Sequence, residues 1–282
     1  MAAKVYREQM ISLAQPGQEP EAHVGLVYST DAARDECLAA FVGTGLQRGE
    51  QVVLMAEPDD HTWQAPLALR GVDAARAARE GSLTTLDPPR FYPARGQAAL
   101  IERMLATGRP GLRLAADAEA ALGYLGAAGY RRVEQEMEHL CAVRPVTLLC
   151  QLQADTTREQ APAPPLPAII DAHPHALHGP CVTIGRDCHG VQLTGELDLD
   201  GGGLVEAVLG RVAQDGACAA KVITVDLSEL DFMDVAEFRA LLAGTRQWRE
   251  RGGILVLAGA HGLVRRVIEV IGGTNRGDVI LG

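Results

Sequence analysis

The stretch Asp226–Phe238, DLSELDFMDVAEF, joins a buried strand to a helix and decides the fold of the second half of the chain. The apolar run Val222–Leu227, which overlaps the beginning of this stretch, is typical of a strand that is covered on both faces. After it, apolar residues repeat at helical spacing, and Asp234 with Glu237 three positions later forms the capping-box pattern that starts a helix. We therefore expect Val235 just inside a helix N-terminus and close to solvent.

This stretch resembles the switch segment of STAS domains, the fold of anti-sigma factor antagonists. In that family a Ser follows the Phe-Met-Asp part of the motif and accepts a phosphate from a kinase-like anti-sigma factor. A phosphate there meets the positive end of the helix dipole and changes the charge presented to the partner. Here Phe232, Met233 and Asp234 match the motif, and Val235 stands at the phosphoacceptor position. Because a valine cannot be phosphorylated, the resemblance implies a STAS domain without its usual switch.

The remainder of the second half supports the same resemblance. GELDL at 195–199 looks like the signature at the front of STAS domains, and GGILVLAG at 252–259 follows at the expected spacing. The resemblance covers about residues 180–282 and predicts an α/β domain. It implies a binding surface for a kinase-like anti-sigma factor or another STAS protein, and phosphorylation of Ser228 or Thr224 is left open. We call this predicted surface the switch surface; it consists of Ser228, Asp234, Val235, Ala236 and Glu237.

The first half alternates short apolar segments with amphipathic ones, which is typical of a mostly parallel sheet covered by helices. Its phrases HVGLVY at 23–28, RRVEQEME at 131–138 and TLLCQ at 147–151 resemble the MEDS sensory domain, which is similar to the RecA/KaiC-type ATPase core. We therefore predict a degenerate RecA/KaiC-like parallel-sheet domain over residues 21–158, after a tail at 1–20.

Nucleotide hydrolysis is not expected of this first domain. A phosphate-binding loop would lie between the first strand and the first helix, where the chain reads YSTDAARDE at 28–36. That segment lacks the glycines and the lysine that cradle phosphates, and it places acidic residues there. We predict no enzymatic activity and no cofactor. A RecA-like nucleotide-binding protein or ATPase regulated by the STAS domain stays the alternative.

A ligand pocket is predicted at the carboxyl ends of the strands, where open α/β sheets bind ligands. Polar side chains stand at those ends in the sequence. The resemblance adds a histidine and a glutamate that match positions in the family pattern, although a histidine at a strand start is also typical of a structural role. The predicted pocket for a small-molecule signal consists of His23, Tyr28, Ser29, Glu57, Asp117 and Glu134.

Residues 159–179 are rich in proline and histidine and predict a linker, because proline favours extended chain and cannot sit inside a packed helix. The histidines and cysteines in and after it match no standard zinc spacing. We interpret this cluster as solvated linker and predict no metal site. Its members are His173, His175, His178, Cys181, Cys188 and His189.

Composition limits the partners of the protein. A net charge of −10 attracts neither nucleic acid nor an anionic membrane. Six cysteines without CxxC spacing are typical of reduced thiols, and no apolar run is long enough to span a membrane, so we expect a cytoplasmic protein. A homodimer and a structural scaffold subunit are further alternatives that the sequence does not decide.

Overall fold

The computed structural model of the chain describes residues 22–56, 62–92, 96–153, 166–173, 176–179, 181–186, 190–197, 202–214, 221–272 and 277–282. It divides into two units, of which the first holds the described residues up to His173 and the second holds those from Ala176 onward. Each unit has its own set of strands and helices. Glu57 of the predicted pocket and His175, Cys188 and His189 of the histidine cluster lie outside the described residues.

The sheet of the first unit has five parallel strands in the order β1, β5, β4, β2, β3. Parallel neighbours need crossover connections, and helices supply them here. The strands are almost wholly buried, as expected for a sheet covered on both faces. The strands are β1 His23–Tyr28, β2 Gln51–Met55, β3 Leu83–Leu86, β4 Leu112–Asp117 and β5 Val146–Gln153.

Two of the helices in this unit begin at side-chain caps directly after a strand. Thr30 caps the helix after β1 and Asp117 caps the helix after β4, because each side chain accepts a hydrogen bond from a backbone N–H three residues on. The longest helix bends at Gly126, whose φ of 62° is not helical. The helices are α1 Asp31–Gln47, α2 Gln64–Leu69, α3 Ala74–Arg79, α4 Pro88–Phe91, α5 Gln97–Leu105, α6 Ala118–Val143 and α7 Leu166–Ala172.

The sheet of the second unit is mixed, with the strand order β6, β7, β8, β9, β10, β11. The pairs β6–β7 and β7–β8 are antiparallel, whereas β8 to β11 are parallel. The strands are β6 Ala176–His178, β7 Val182–Arg186, β8 Gly190–Leu197, β9 Val222–Met233, β10 Ile254–Ala258 and β11 Val279–Leu281. The helices are α8 Gly202–Gln214, α9 Val235–Gly244, α10 Arg246–Glu250 and α11 Gly262–Val270.

Strand β9 is longer than the apolar run in the sequence predicts. The run ends at Leu227, but the strand continues to Met233 because β8 offers a partner along its whole length. Two register irregularities in the β8–β9 pair accommodate the extra residues. The buried residues Leu227, Leu230 and Met233 are consequently three apart instead of two. The second half of β9 therefore lacks the alternation of polar and apolar residues that is typical of a strand, although it is one.

The interpretation of His173, His178 and Cys181 as solvated linker is wrong, because all three residues are buried. Helix α7 lies within the segment predicted as linker, and its buried residues Ile169 and Ile170 pack against α6. This places His173, which is 1% exposed, inside the first unit. The prolines at 162, 164, 165 and 167 hid the helix from sequence reasoning, although proline is tolerated in the first turn of a helix.

Candidate functional site

A cavity of about 130 Å³ opens at the carboxyl ends of β1, β2, β4 and β5 in the first unit. Its lining mixes apolar side chains with charged ones, and the guanidinium group of Arg34 pairs with Asp35 at 2.8 Å. Leu54, Met55, Ala115 and Leu67 supply apolar surface. This composition fits a ligand that has a small apolar body and one polar or charged group.

Two of the predicted pocket residues line this cavity, namely Tyr28 and Asp117. Tyr28 lies under the guanidinium group of Arg34, at 5.9 Å from the ring centroid, and burial raises the pKa of its hydroxyl. Asp117 also has a structural role, because its carboxylate accepts the Ala120 N–H at 2.8 Å as the cap of α6. Ser29 is at the end of β1 and does not line the cavity, but its hydroxyl oxygen is buried without a hydrogen-bond partner among the described residues.

Gln151 of β5 is a further polar residue of this cavity. It ends the pairing of β4 with β5, opposite Asp117, and lines the cavity. Its side-chain oxygen is buried and accepts no hydrogen bond within the described part of the chain. A buried amide oxygen without a donor is costly, so Gln151 offers an acceptor to a ligand or a water in this cavity.

His23 and Glu134 belong to a different place, which corrects the predicted pocket. His23 begins β1 and Tyr28 ends it, so the two residues are about 16 Å apart along the strand. Glu134 lies on α6, which runs back from the carboxyl ends of the strands toward their amino ends. Both side chains therefore lie toward the amino ends of the strands, and neither of them lines the cavity.

His23 and Glu134 meet Cys150 of β5 and His173 in a buried cluster, which we call the HECH cluster. The His23 Nε2 atom is 2.9 Å from the Glu134 carboxylate, and the His173 Nε2 atom is 3.6 Å from the same oxygen. The Cys150 Sγ atom lies 3.5 Å from Glu134 Oε2 and 3.6 Å from His23 Nε2. All four residues are buried, so the cluster is closed to bulk water.

The electrostatics of the HECH cluster follow from this close packing. Burial opposes a charge on His23, but the carboxylates of Glu134 and Glu138 outweigh it and raise its pKa to about 9. The pKa of Glu134 is lowered even though burial alone would raise it, because His23 and His173 favour its carboxylate. At neutral pH the cluster therefore contains an imidazolium paired with a carboxylate.

The other two members are neutral. Burial and the neighbouring charge on His23 lower the pKa of His173 to about 4, so its ring is uncharged at neutral pH. Burial and the Glu134 carboxylate raise the pKa of the Cys150 thiol well above its usual range. A buried, protonated thiol is a poor nucleophile, so the cluster does not have the character of a cysteine-based catalytic site.

The switch surface of the second unit has the geometry that the sequence predicts at its helix start. Asp234 caps α9, since its carboxylate accepts the Glu237 N–H at 2.8 Å. Val235 is the first helical residue and is 43% exposed, and Ala236 beside it is also exposed. Glu237, by contrast, is 4% exposed. Its side chain is therefore not presented on the surface.

Ser228 is exposed on β9 and is held next to the start of α11. The His261 Nε2 group donates a hydrogen bond to the Ser228 carbonyl at 3.0 Å. Gly259 lies so close that a Cβ atom there would be 2.8 Å from the Ser228 Cβ. The Ser228 N–H donates to the carboxylate of Asp226 at 2.9 Å, which fixes this segment of the backbone.

Residues 22–174, more than half of the chain, match the family model described as the MEthanogen/methylotroph, DcmR Sensory domain, abbreviated MEDS. The chain belongs to the MEDS family. Residues 182–281 of this MEDS protein match a second model, described as Mlab, STAS domain. The two resemblances predicted from the sequence are therefore confirmed, and so is the α/β fold of both parts.

Two solved structures are similar to parts of the MEDS protein. The anti-sigma factor antagonist SpoIIAA in its unphosphorylated form is 20% identical over 36% of this chain and 87% of its own, with a TM-score of 0.30. A KaiC-like protein from the hyperthermophilic archaeon Pyrococcus horikoshii OT3 is 21% identical over 49% of this chain and 68% of its own, with a TM-score of 0.38. No curated protein matches the chain.

No helix among the described residues combines the length and the apolar character that crossing a membrane requires.

Proposed function

We propose that this MEDS–STAS protein is a non-enzymatic cytoplasmic regulator whose STAS domain binds a kinase-like anti-sigma factor through the switch surface. The observation that carries the proposal is the exposed Val235 in the first turn of α9, at the place where the family motif has its phosphoacceptor. Without a hydroxyl there, position 235 cannot gain a phosphate, so binding does not depend on phosphorylation at the acceptor position of the family motif.

The composition of the switch surface favours a protein partner. Exposed apolar residues flank the helix start, namely Phe232 and Val235. An apolar residue that is held rigidly by a capped helix is suited to fill a pocket on a partner, because little conformational entropy is lost on binding. The N-terminal end of the α9 helix dipole adds a partial positive charge that can face an acidic group of the partner.

In this proposal, the MEDS domain detects a small-molecule signal. Its strand-end cavity has the volume of a small organic molecule, since a cavity of about 150 Å³ holds benzene. The buried oxygen of Gln151 and the charged groups of Arg34 and Asp117 supply polar contacts around an otherwise apolar wall. We propose that a small polar metabolite binds there and alters the availability of the STAS domain.

The partner is tested by affinity capture from a lysate of the source organism with the full chain as bait. Wild type is compared with Val235→Asp and with Val270→Asp, which adds the same charge at the exposed far end of α11. We expect wild type and Val270→Asp to capture a kinase-fold anti-sigma factor. With the purified partner, Val235→Asp should weaken binding by about 30-fold, the effect of losing one central contact.

The result separates the alternatives. Equal capture by Val235→Asp would show that the switch surface is not the interface. Capture of other STAS proteins in place of an anti-sigma factor would overturn the antagonist function and favour the scaffold alternative. Micromolar binding of ATP by the purified chain would favour the alternative of a nucleotide-binding protein.

The ligand hypothesis is tested by fluorescence of Trp63, which lines the cavity. The chain has two tryptophans, so a Trp248→Phe variant reports on this site alone. Short-chain carboxylic acids, amines and alcohols serve as probes. We expect saturable quenching or enhancement by at least one class, abolished by Ala115→Leu, which fills the cavity. No response from any class in the wild-type background would contradict a site for small polar ligands.

A further inference from the structure

We propose that the HECH cluster binds one zinc ion inside the MEDS domain, with His23, Glu134, Cys150 and His173 as its ligands. The four ligand atoms lie within 4.8 Å of one another, and they come from β1, α6, β5 and the residue after α7. No single segment of the sequence carries two of them at a zinc-binding spacing. The fold alone brings them together.

Four of the six distances between the ligand atoms are close to those of a tetrahedral zinc site. With Zn–S near 2.3 Å and Zn–N or Zn–O near 2.05 Å, a tetrahedron separates sulfur from nitrogen or oxygen by ~3.5 Å and nitrogen from oxygen by ~3.3 Å. Cys150 Sγ lies 3.6 Å from His23 Nε2 and 3.5 Å from Glu134 Oε2. His173 Nε2 lies 3.6 Å from the same oxygen. The His23–Glu134 separation of 2.9 Å is shorter, and needs to open by less than half an ångström.

Both histidines are oriented as metal-binding histidines are. A histidine ligand usually donates its other ring N–H to a carboxylate or a backbone carbonyl, which fixes the ring and its tautomer. The His23 Nδ1 atom is 2.8 Å from the Glu138 carboxylate, and the His173 Nδ1 atom is 2.8 Å from the Ile169 carbonyl oxygen. Each ring therefore directs Nε2 toward Glu134, where the lone pairs of both rings would converge on one ion.

The charge of the cluster also suits a divalent ion. Metal ligands bind in their deprotonated forms, so the set consists of one thiolate, one carboxylate and two neutral imidazoles. The two negative charges balance the two positive charges of Zn²⁺, so the loaded site contains no unpaired charge in the interior.

The ligand set selects the class of metal. Two imidazoles and a thiolate favour zinc-like transition metals over Mg²⁺ and Ca²⁺, which prefer oxygen ligands. Four protein ligands without an open position are typical of a structural or sensing site. A hydrogen-bonded polar cluster without metal is the competing explanation, and it predicts no stoichiometric zinc.

The experiment measures metal bound to the untagged full chain. The protein is stripped with a chelator, reloaded with Zn²⁺ and analysed by inductively coupled plasma spectrometry. It is also loaded with Co²⁺, whose thiolate complexes have a charge-transfer absorption band. We expect one zinc per chain bound in excess Mg²⁺, and a cobalt–thiolate band. Both should be lost in Cys150→Ser and His173→Ala, with affinity reduced by more than about 100-fold, since even outer contacts contribute 10–100-fold.

Three controls identify the site. Cys141→Ser removes a buried thiol of α6 outside the cluster and should leave zinc and the cobalt band unchanged. A His175→Ala, Cys188→Ser, His189→Ala variant removes three further side chains of metal-binding type that follow His173 in the sequence, and should also keep the zinc. Glu138→Gln should weaken zinc by about 10–100-fold while keeping the cobalt–thiolate band, as expected for a residue that orients His23.

The outcomes that overturn the proposal are equally defined. If zinc is retained in Cys150→Ser and lost in the triple variant, the zinc site lies outside the HECH cluster. Less than stoichiometric zinc in the wild type would favour the metal-free polar cluster. Because serine keeps the volume of cysteine, Cys150→Ser decides the question even if His173→Ala does not fold, and Trp63 fluorescence of the loaded and stripped protein reports on folding.

Discussion

The HECH cluster and the switch surface depart from the usual partition of side chains in opposite directions. The cluster buries four polar side chains, two of them charged at neutral pH. The switch surface exposes an apolar valine where the family motif has a hydroxyl. The cluster satisfies its groups internally through short contacts. The comparison therefore separates polar side chains that contact one another inside one domain from an exposed apolar residue that we propose to be a contact for a partner.

The stability of the buried cluster is the largest effect that this comparison predicts. Removing one member of a buried ion pair leaves the other charge without its partner, which costs about 3–5 kcal/mol. In the chelator-treated Trp248→Phe background, Glu134→Ala should therefore lower the free energy of unfolding of the MEDS domain by that amount, measured by urea titration of Trp63 fluorescence. Glu136→Ala, an exposed neighbour on α6, is the control and should change it by less than about 0.5 kcal/mol. Equal effects would show that the cluster is not an ion pair.

The position of α9 under the switch surface depends on a close helix contact. A Cβ atom at Gly244 would lie 2.5 Å from the Glu206 carbonyl oxygen of α8, so Gly244→Ala must separate the helices and should cost about 1–3 kcal/mol. Gly210 on α8 has ordinary space, 3.7 Å from the nearest atom, and Gly210→Ala should stabilise by about 0.4–1 kcal/mol. Trp248 fluorescence in a Trp63→Phe background measures both. Effects of the same sign would contradict the packing described for α8 and α9.

The cavity of the MEDS domain predicts a smaller contrast between neighbouring residues of β4. Ala115 lines the cavity, so Ala115→Val has room and should stabilise by about 0.5–1 kcal/mol. Ala116 is equally buried and does not line it, so the added methyl groups of Ala116→Val should destabilise by about 1 kcal/mol. Thermal unfolding of the ligand-free protein compares them. A destabilised Ala115→Val would mean that the cavity is not open to this side chain.

The smallest effect concerns the switch surface itself. Val235→Asp should change the free energy of unfolding of the STAS domain by no more than about 0.5 kcal/mol, because the residue is exposed and an acidic group at a helix N-terminus is favourable. Urea titration of Trp248 fluorescence checks this. A loss of several kcal/mol would show that Val235 serves the fold, and would remove the reason to expect a partner at this position.

Much of the fold was predictable because its signals are local. Alternating apolar and amphipathic segments predicted the parallel strands and their helices, and the cap predicted at Asp234 marks the observed start of α9. The second half of β9 was missed, since its exposed polar residues alternate irregularly around two register shifts. Helix α7 was missed because prolines precede and interrupt it.

The candidate sites were only partly predictable. Tyr28 and Asp117 were correctly expected at strand ends, because the carboxyl ends of parallel strands share one edge of a sheet. His23 and Glu134 were grouped with them, although they lie at the opposite end of the strands. No sequence signal linked either of them to Cys150 or His173, which are 16 and 39 residues after Glu134.

The sequence by itself determined the alternation of strands and helices, the place of Val235 at a helix start and the absence of a phosphate-binding loop, because these depend on residues close together in the chain. Only the tertiary structure decided that a strand start, a helix face, a second strand and the end of a short helix place His23, Glu134, Cys150 and His173 within ligand distance. Burial then sets their charges, since a pKa depends on the neighbours that the fold supplies and not on the neighbours in sequence.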